Sequence, residues 1–338
     1  MSLTIYDISE KAGVSIATVS RVLNGSSKVK ESTRKKIMDI IDAYGYTPNS
    51  SARAMGLKSM KTIGILCADS SDIFLAKAVY YLEQNLQANG YESLLCCTGY
   101  NLDVRRNYID LILSKKVDGL ILVGSNFIGS TEEENTYIRD CANKVPVMIL
   151  NGSYEHENVY CILSDDMNSV YRAATNMIDS GIRDILYLYN ATSYSGRRKL
   201  AGFRMAMESQ DIKGYEDRIL RIPEELTDTE SIANYLTDFV KDGHSFHGVI
   251  AADDLLGIAA VKYGQRNGLS IPEDLSVIGY NNSLLTGCCT PELTSIDNQL
   301  EAQTRSLVKN LVGVLSGQDM PHMTVFPGNL ICRKTTKF

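Results

Sequence analysis

The densest set of residues with a shared chemistry lies near the start of the chain, in AGVSIATVSRVLNG, residues 12–25. Ser15, Ile16, Ala17, Thr18, Ser20 and Arg21 fall there within seven positions, and Arg21 is the run's one charged side chain. An arginine fork can bind guanine O6 and N7 together, isoleucine and alanine methyls can meet thymine methyls, and hydroxyls at a helix start can meet phosphate. A second set is scattered. Asp69-Ser70-Ser71-Asp72, Asn151, Asp165-Asp166, Asp253-Asp254 and Asn281-Asn282 each close an apolar run. Taken singly, each reads equally well as a helix N-cap. Together they describe polar side chains converging on a cleft, suited to a polyhydroxylated or otherwise polar ligand.

Elements must position both sets. Thr4-Ile5-Tyr6-Asp7 has the spacing of a capping box, and Ile5, Ile8 and Ala12 form one apolar stripe up to Gly13. Ser15 caps a second helix whose inward residues are Val19, Val22 and Leu23, with Val14 plugging the turn. Ile16, Ala17, Ser20 and Arg21 then face outward. A third helix follows from about Glu31 to Tyr44, with Ile37, Ile40, Ile41 and Tyr44 at core spacing and Gly45 as its stop. Two helices joined by a short turn and closed by a third make a helix-turn-helix unit. After Pro48, NSSARAMG offers about two turns of helix, too short to persist alone, so it reads as a hinge that folds on binding.

From Thr62 onward, eight apolar runs alternate with helical patterns: IGILCAD, YESLLCC, VDGLILVG, VPVMILNG, VYCILSDD, DILYLYN, HGVIAADD and LSVIGYNN. That alternation predicts parallel sheets with helices on both faces, divided over two lobes, with the ligand beyond the carboxyl ends of the strands. The fold class is a small all-α head on a two-lobed α/β body. Its divisions are 1–46 for the head, 47–61 for the hinge and 62–338 for the body. Within the body, the N-lobe spans about 62–161 and the C-lobe about 162–290, and crossovers with a C-terminal return occupy 291–338.

Charge divides along the same line. Residues 1–61 carry +5 and the rest −11, so a basic head sits on an acidic body, as expected if the head alone meets a polyanion. No apolar run is long enough to span a bilayer and no signal segment opens the chain, which points to the cytoplasm and away from membranes. Eight cysteines include no C-x-x-C pair, so neither a zinc site nor a redox motif is indicated, and Cys67, Cys161 and Cys332 read as small core residues. The phosphate-loop, dinucleotide, nucleophile-elbow and zincin motifs are missing. The four histidines lie away from the strand ends assigned to the cleft. No catalytic residue, metal site or cofactor is expected.

The blocks DISEKAGVS, ATVSRVLNG, TRKKI and YTPNSSAR resemble the head of the LacI (lactose repressor) family over about sixty residues. The body resembles that family's effector domain, which is periplasmic-binding-protein-like, in SGRRKLAGFRMAM, DDLLGIAAV, IPEDLSVIGYNN and PELTSIDNQ. The resemblance implies a DNA-binding regulator, usually a repressor, acting as a homodimer on pseudo-palindromic operator DNA under control of a small effector, with sugars among the candidates. It places Thr4, Tyr6, Ser15, Ile16, Ala17, Thr18, Ser20, Arg21, Asn24, Thr33, Asn49, Ala52 and Arg53 at the DNA, with Met55 where the family's hinge leucine wedges into a base step. It places Asp69, Asp72, Phe74, Asn151, Asp165, Arg197, Lys199, Asp253 and Asn281 at the effector.

Four departures bear on the ligand. Lys199 replaces the effector-contacting arginine. Asp253-Asp254 stands for Asn-Asp, Asn281-Asn282 for Asp-Asp, and Asp72-Ile73-Phe74 for Asn-Pro-Phe. Lysine loses the bidentate fork, and asparagine exchanges a pure acceptor for a mixed donor and acceptor. A subgroup of the family answers instead to a phosphorylated phosphocarrier protein, which makes such a protein an alternative partner.

Overall fold

The computed structural model describes residues 4–23, 26, 28–46 and 59–338. The chain separates into two compact units, Met1–Lys61 and Thr62–Phe338.

In the first unit, helix α1 (Ile5–Ala12) opens on a complete capping box between Thr4 and Asp7 and stops at Gly13, whose φ of 63° is the left-handed geometry glycine accepts most easily. Helices α2 (Ile16–Leu23) and α3 (Glu31–Tyr44) follow. Ile8, Ala12, Val19, Val22, Ile37 and Ile41 form the core, with Ile5, Val14, Leu23 and Ile40 packed against it. Tyr44 departs from its expected place: it is 55% exposed, and its ring carries the Lys11 ammonium at 4.7 Å. The small core ends one turn earlier, at Ile41, so the last turn of α3 meets a cation stem instead of apolar side chains.

The second unit begins with β1 (Thr62–Cys67), α4 (Ile73–Ala88), β2 (Glu92–Cys97), α5 (Leu102–Ser114), β3 (Gly119–Val123), α6 (Glu132–Ala142), β4 (Val147–Leu150) and β5 (Val159–Ser164). Next come α7 (Asp166–Asp179), β6 (Ile185–Tyr189), α8 (Tyr194–Ser209), β7 (Ile219–Arg221), α9 (Thr229–Lys241), β8 (Gly248–Ala251), α10 (Asp254–Arg266) and β9 (Ser276–Tyr280). It closes with β10 (Thr294–Asp297), α11 (Leu300–Leu315), β11 (Met323–Phe326) and β12 (Asn329–Ile331).

The strands form two six-stranded sheets, ordered β11-β5-β4-β3-β1-β2 and β12-β10-β9-β8-β6-β7. Every pairing is parallel except β10 with β12. Parallel strands covered on both faces need apolar residues at consecutive positions, which is why β3, β4, β8 and β9 are buried along their whole length. The chain passes between the sheets three times, at β5–α7, β10–α11 and β11–β12. Residues 291–338 therefore contribute β10 and β12 to the second lobe and α11 and β11 to the first.

Cys67 and Cys161 are buried, and burial pushes each thiol up to about 11, whereas Cys332 is exposed. The expectation of a core Cys332 is thus corrected: it directly follows the antiparallel edge strand β12, outside the two-sided core. Among the described residues no helix is long and apolar enough to cross a membrane.

Candidate functional site

In the head, α2 divides as its period requires. Val19 and Val22 are buried, while Ser15, Ile16, Ala17 and Arg21 are exposed, with Ile16 at 40%. Thr18 and Ser20 are half-buried. Ser15 Oγ accepts from Thr18 N at 3.3 Å and lies 2.9 Å from Thr18 Oγ1, so the first turn is closed by its own hydroxyls. Tyr6 stands 68% exposed on α1. Thr4 Oγ1 donates to Asp7 Oδ2 at 2.6 Å, and these Thr4 hydrogen bonds hold the Asp7 carboxyl below its usual range. Thr33 is half-buried in the first turn of α3. Arg34 Nη2 donates to Ser26 O at 2.5 Å and fixes the chain after α2. Asn24, Asn49, Ala52, Arg53 and Met55 lie outside the described residues.

In the body, strand ends become helix starts at the cleft. Asp72 caps α4 by accepting from Leu75 N at 2.8 Å, and Asp253 caps α10 by accepting from Leu256 N at 2.8 Å. Asp165 caps α7, accepting from Asn168 N at 3.4 Å, and Ser193 caps α8, accepting from Gly196 N at 3.3 Å. Asp72, Asp165 and Asp253 thus act as the helix N-caps that their positions also allowed. Ser125 of the first lobe donates to Ser193 of the second at 2.9 Å, and Tyr194 packs on the first lobe's apolar cluster.

The remaining candidates differ in how far they face the opening. Asp69 Oδ1 accepts from Ser71 N and Oγ at 2.8 and 2.7 Å and shapes the loop before α4. Phe74 is half-buried against the first-lobe core. Asn151 is buried and its Oδ1 accepts from Ser164 N at 3.1 Å, so it ties β4 to β5. Asn281, at φ 92°, accepts on Oδ1 from Asn298 Nδ2 at 3.1 Å. Arg197 is exposed and donates to Thr192 O at 2.7 Å. Beside the cleft a cavity of about 870 Å³ is lined by Phe74, Tyr81, Asn281, Asp297 and Leu300 among others.

Lys199 is the side chain whose placement sequence reasoning could not supply. It is buried, its Nζ donates to Ala252 O at 2.9 Å, and it lies 3.7 Å from the Tyr280 ring centroid. Burial lowers its pKa, against the pull of Asp166, Asp253, Asp254 and Asp72. Asp166, also buried, accepts from Tyr280 Oη at 2.5 Å; burial raises its pKa, opposed first by Lys199 and then by hydrogen bonds from Ser195 and Tyr280. Asp254 accepts from Ser295 Oγ at 2.5 Å and Ser283 N at 2.6 Å, and burial raises it too. Asp166, named with Asp165 among the strand-end residues, is turned into the protein, and its partner Tyr280 in the VIGY block was not among the candidates.

Among the described residues no cluster of three or more His, Cys, Asp or Glu could hold a metal ion. Residues 4–49 match the family described as bacterial regulatory proteins, lacI family, and residues 174–336 match the periplasmic binding protein-like domain. An HTH-type transcriptional regulator of Lachnoclostridium phytofermentans is 50% identical over 336 residues, covering 99% of this chain and 100% of that protein. The HTH-type transcriptional repressor PurR of Vibrio parahaemolyticus is 31% identical over 87% of this chain and 86% of its own. The lac repressor dimer bound to operator and the anti-inducer ONPF superposes with a TM-score of 0.86 at 22% identity, over 99% of both chains. The chain belongs to the lacI family of bacterial regulatory proteins: it is a DNA-binding, repressor-like transcriptional regulator and not an enzyme.

Proposed function

We propose that this regulator binds a pseudo-palindromic operator as a homodimer in the bacterial cytoplasm, and that a small polar ligand between the lobes of the body sets its operator affinity. Each head would place α2 in a major groove, with Arg21 and the Ile16-Ala17 pair toward base edges. What supports the ligand reading is that capped helix starts of both lobes meet there: Ser193 of the second lobe accepts from Ser125 of the first, and Asp72 and Asp253, from opposite lobes, both act on Lys199. A ligand touching both lobes favours one interlobe spacing over another, and it shifts operator affinity only by its difference in affinity for the two.

Screening sugars, amino sugars, sugar phosphates and nucleobases for a rise in the unfolding temperature tests this, because a ligand selective for the fold stabilises it by mass action. A hit must also change operator affinity in a gel-shift titration. A response to a phosphorylated phosphocarrier protein alone, with no small-molecule hit, would replace the ligand by a protein signal.

A further inference from the structure

Two neighbouring strands of the first lobe end on cysteine. Cys67 is the last residue of β1 and Cys97 the last of β2, and the parallel register sets them side by side. Neighbouring strands lie about 4.8 Å apart, inside the Cα separation of about 4.4–6.8 Å that a disulfide bridges. Backbone hydrogen bonds hold this register beyond the pair, from Thr98 N to Cys67 O and from Gly99 N to Ala68 O, each at 2.9 Å. The two cysteines are far apart in the chain, so no C-x-x-C spacing announces them.

Their side chains share one face of the sheet. Leu66 and Cys96, the pair one step earlier, both belong to the apolar cluster that α5 and α6 cover. Side chains alternate along a strand, so the next pair turns to the other face, where Cys67 packs in the cluster beneath α4 and α11. Cys67 is buried there, whereas Cys97 stands exposed on the edge strand. Burial pushes the Cys67 thiol up to about 11, and charge on Cys97 adds to the rise, as it does for sulfurs within electrostatic reach. The Cys67 thiol donates to Asp69 O at 3.4 Å, in the loop before α4.

We propose that Cys97 and Cys67 form a reversible disulfide, and that the co-reactant is a small aliphatic disulfide such as that of glutathione. Exposed Cys97 attacks one sulfur of the small disulfide, forms a mixed disulfide and releases the first small thiol. Cys67 then attacks the Cys97 sulfur and releases the second. The small disulfide takes up two electrons and two protons to give two thiols, and the protein pair gives up the same. In a reducing compartment such a bond is transient and reports the redox state. Closing it draws the edge strand toward β1 and removes the Cys67 hydrogen bond to Asp69 O, directly before the loop whose Asp72 caps α4. The proposal does not depend on the identity of the effector.

The test incubates the full-length protein with glutathione disulfide, blocks the remaining thiols by alkylation and maps the cysteines by mass spectrometry without reduction. The expected product is a cross-link between the Cys67 and Cys97 peptides that dithiothreitol removes. Cys67→Ala should stop at the mixed disulfide on Cys97. Cys97→Ser, at an exposed edge position that keeps the fold, should slow modification of Cys67 by about tenfold or more, because the exposed thiol is the point of entry. This second variant decides the matter even if Cys67→Ala loosens the core. A glutathione adduct that persists on Cys97 of the unaltered protein overturns the proposal. So does a Cys97 bond to a second copy, seen as a dimer on a non-reducing gel, or Cys67 modified at an undiminished rate in Cys97→Ser.

Discussion

At the scale of single residues, two arginine-type positions show what spacing can and cannot settle. Arg21 is legible from sequence, because helical periodicity alone sends it outward once Val19 and Val22 are inward. Arg21→Ala should weaken operator binding by about 1–3 kcal/mol and relax preference at one base pair; an unchanged binding profile across operator variants would remove Arg21 from the groove. Lys199 is different. Its position on α8 was readable, but its partners belong to α7, β9 and the end of β8, which no local pattern brings together. Removing the ammonium leaves Asp166 buried beside Tyr280. Lys199→Met also leaves Ala252 O without its donor and should cost about 1–3 kcal/mol near neutral pH, the range for stranding buried polar groups. The sign of its pH dependence follows from the raised Asp166 pKa. The folded state holds the proton at pH values where the unfolded chain has released it, so stability falls as pH rises from the unfolded value of 3.8 through the folded one. Without Lys199 that window extends further upward. Denaturant titrations at several pH values should show the variant's deficit growing from acid to neutral; a constant deficit would mean that lost packing, and not the Asp166 charge, causes the damage.

At the scale of elements, the long buried strands were legible because a sheet covered on both faces demands unbroken apolar runs, as in GLILV of β3 and SVIGY of β9. The short elements were not. β7 and β12 have three residues each, and β11 is a half-exposed edge whose Met323 and Val325 point to solvent. Strands of that length are made by their neighbours, so their residues carry little pattern. Helix packing was equally hidden. Helices α7 and α8 approach so closely at Gly202 that a Cβ there would collide with the Met167 carbonyl, a backbone atom that cannot swing aside. Gly202→Ala should cost about 1–3 kcal/mol in urea unfolding, and more than the helix-propensity gain of alanine returns. Because α8 also carries Lys199 and starts at the Ser125–Ser193 contact, the same change should weaken effector binding. Full stability in Gly202→Ala would show that the two helices can separate freely.

At the scale of the whole molecule, the division of charge makes a quantitative demand on DNA binding. The +5 of residues 1–61, head and hinge together, must supply the attraction, since the −11 of the remainder repels phosphate. Neutralising phosphates releases counterions, so the logarithm of affinity should fall linearly with the logarithm of salt, with a slope of about −0.9 per phosphate contact. Two heads on one operator double the contacts of one, and the second head binds at the high effective concentration that its tether provides. This separates two ways an effector could act. If it changes the spacing of the heads so that only one engages at a time, the salt slope should drop to about half while the residual binding resembles that of a single head. If it leaves both heads docked and only strains the complex, affinity should fall with the slope unchanged. On the proposed reading, closure across a cleft crossed by three chain segments would move the lobes as bodies, and the first of those lobes begins at the strand directly following the head and hinge. Spacing is the quantity such a motion controls. The halved slope is therefore the expected result, and an effector that lowers affinity at constant slope would show that the signal reaches the DNA by another route.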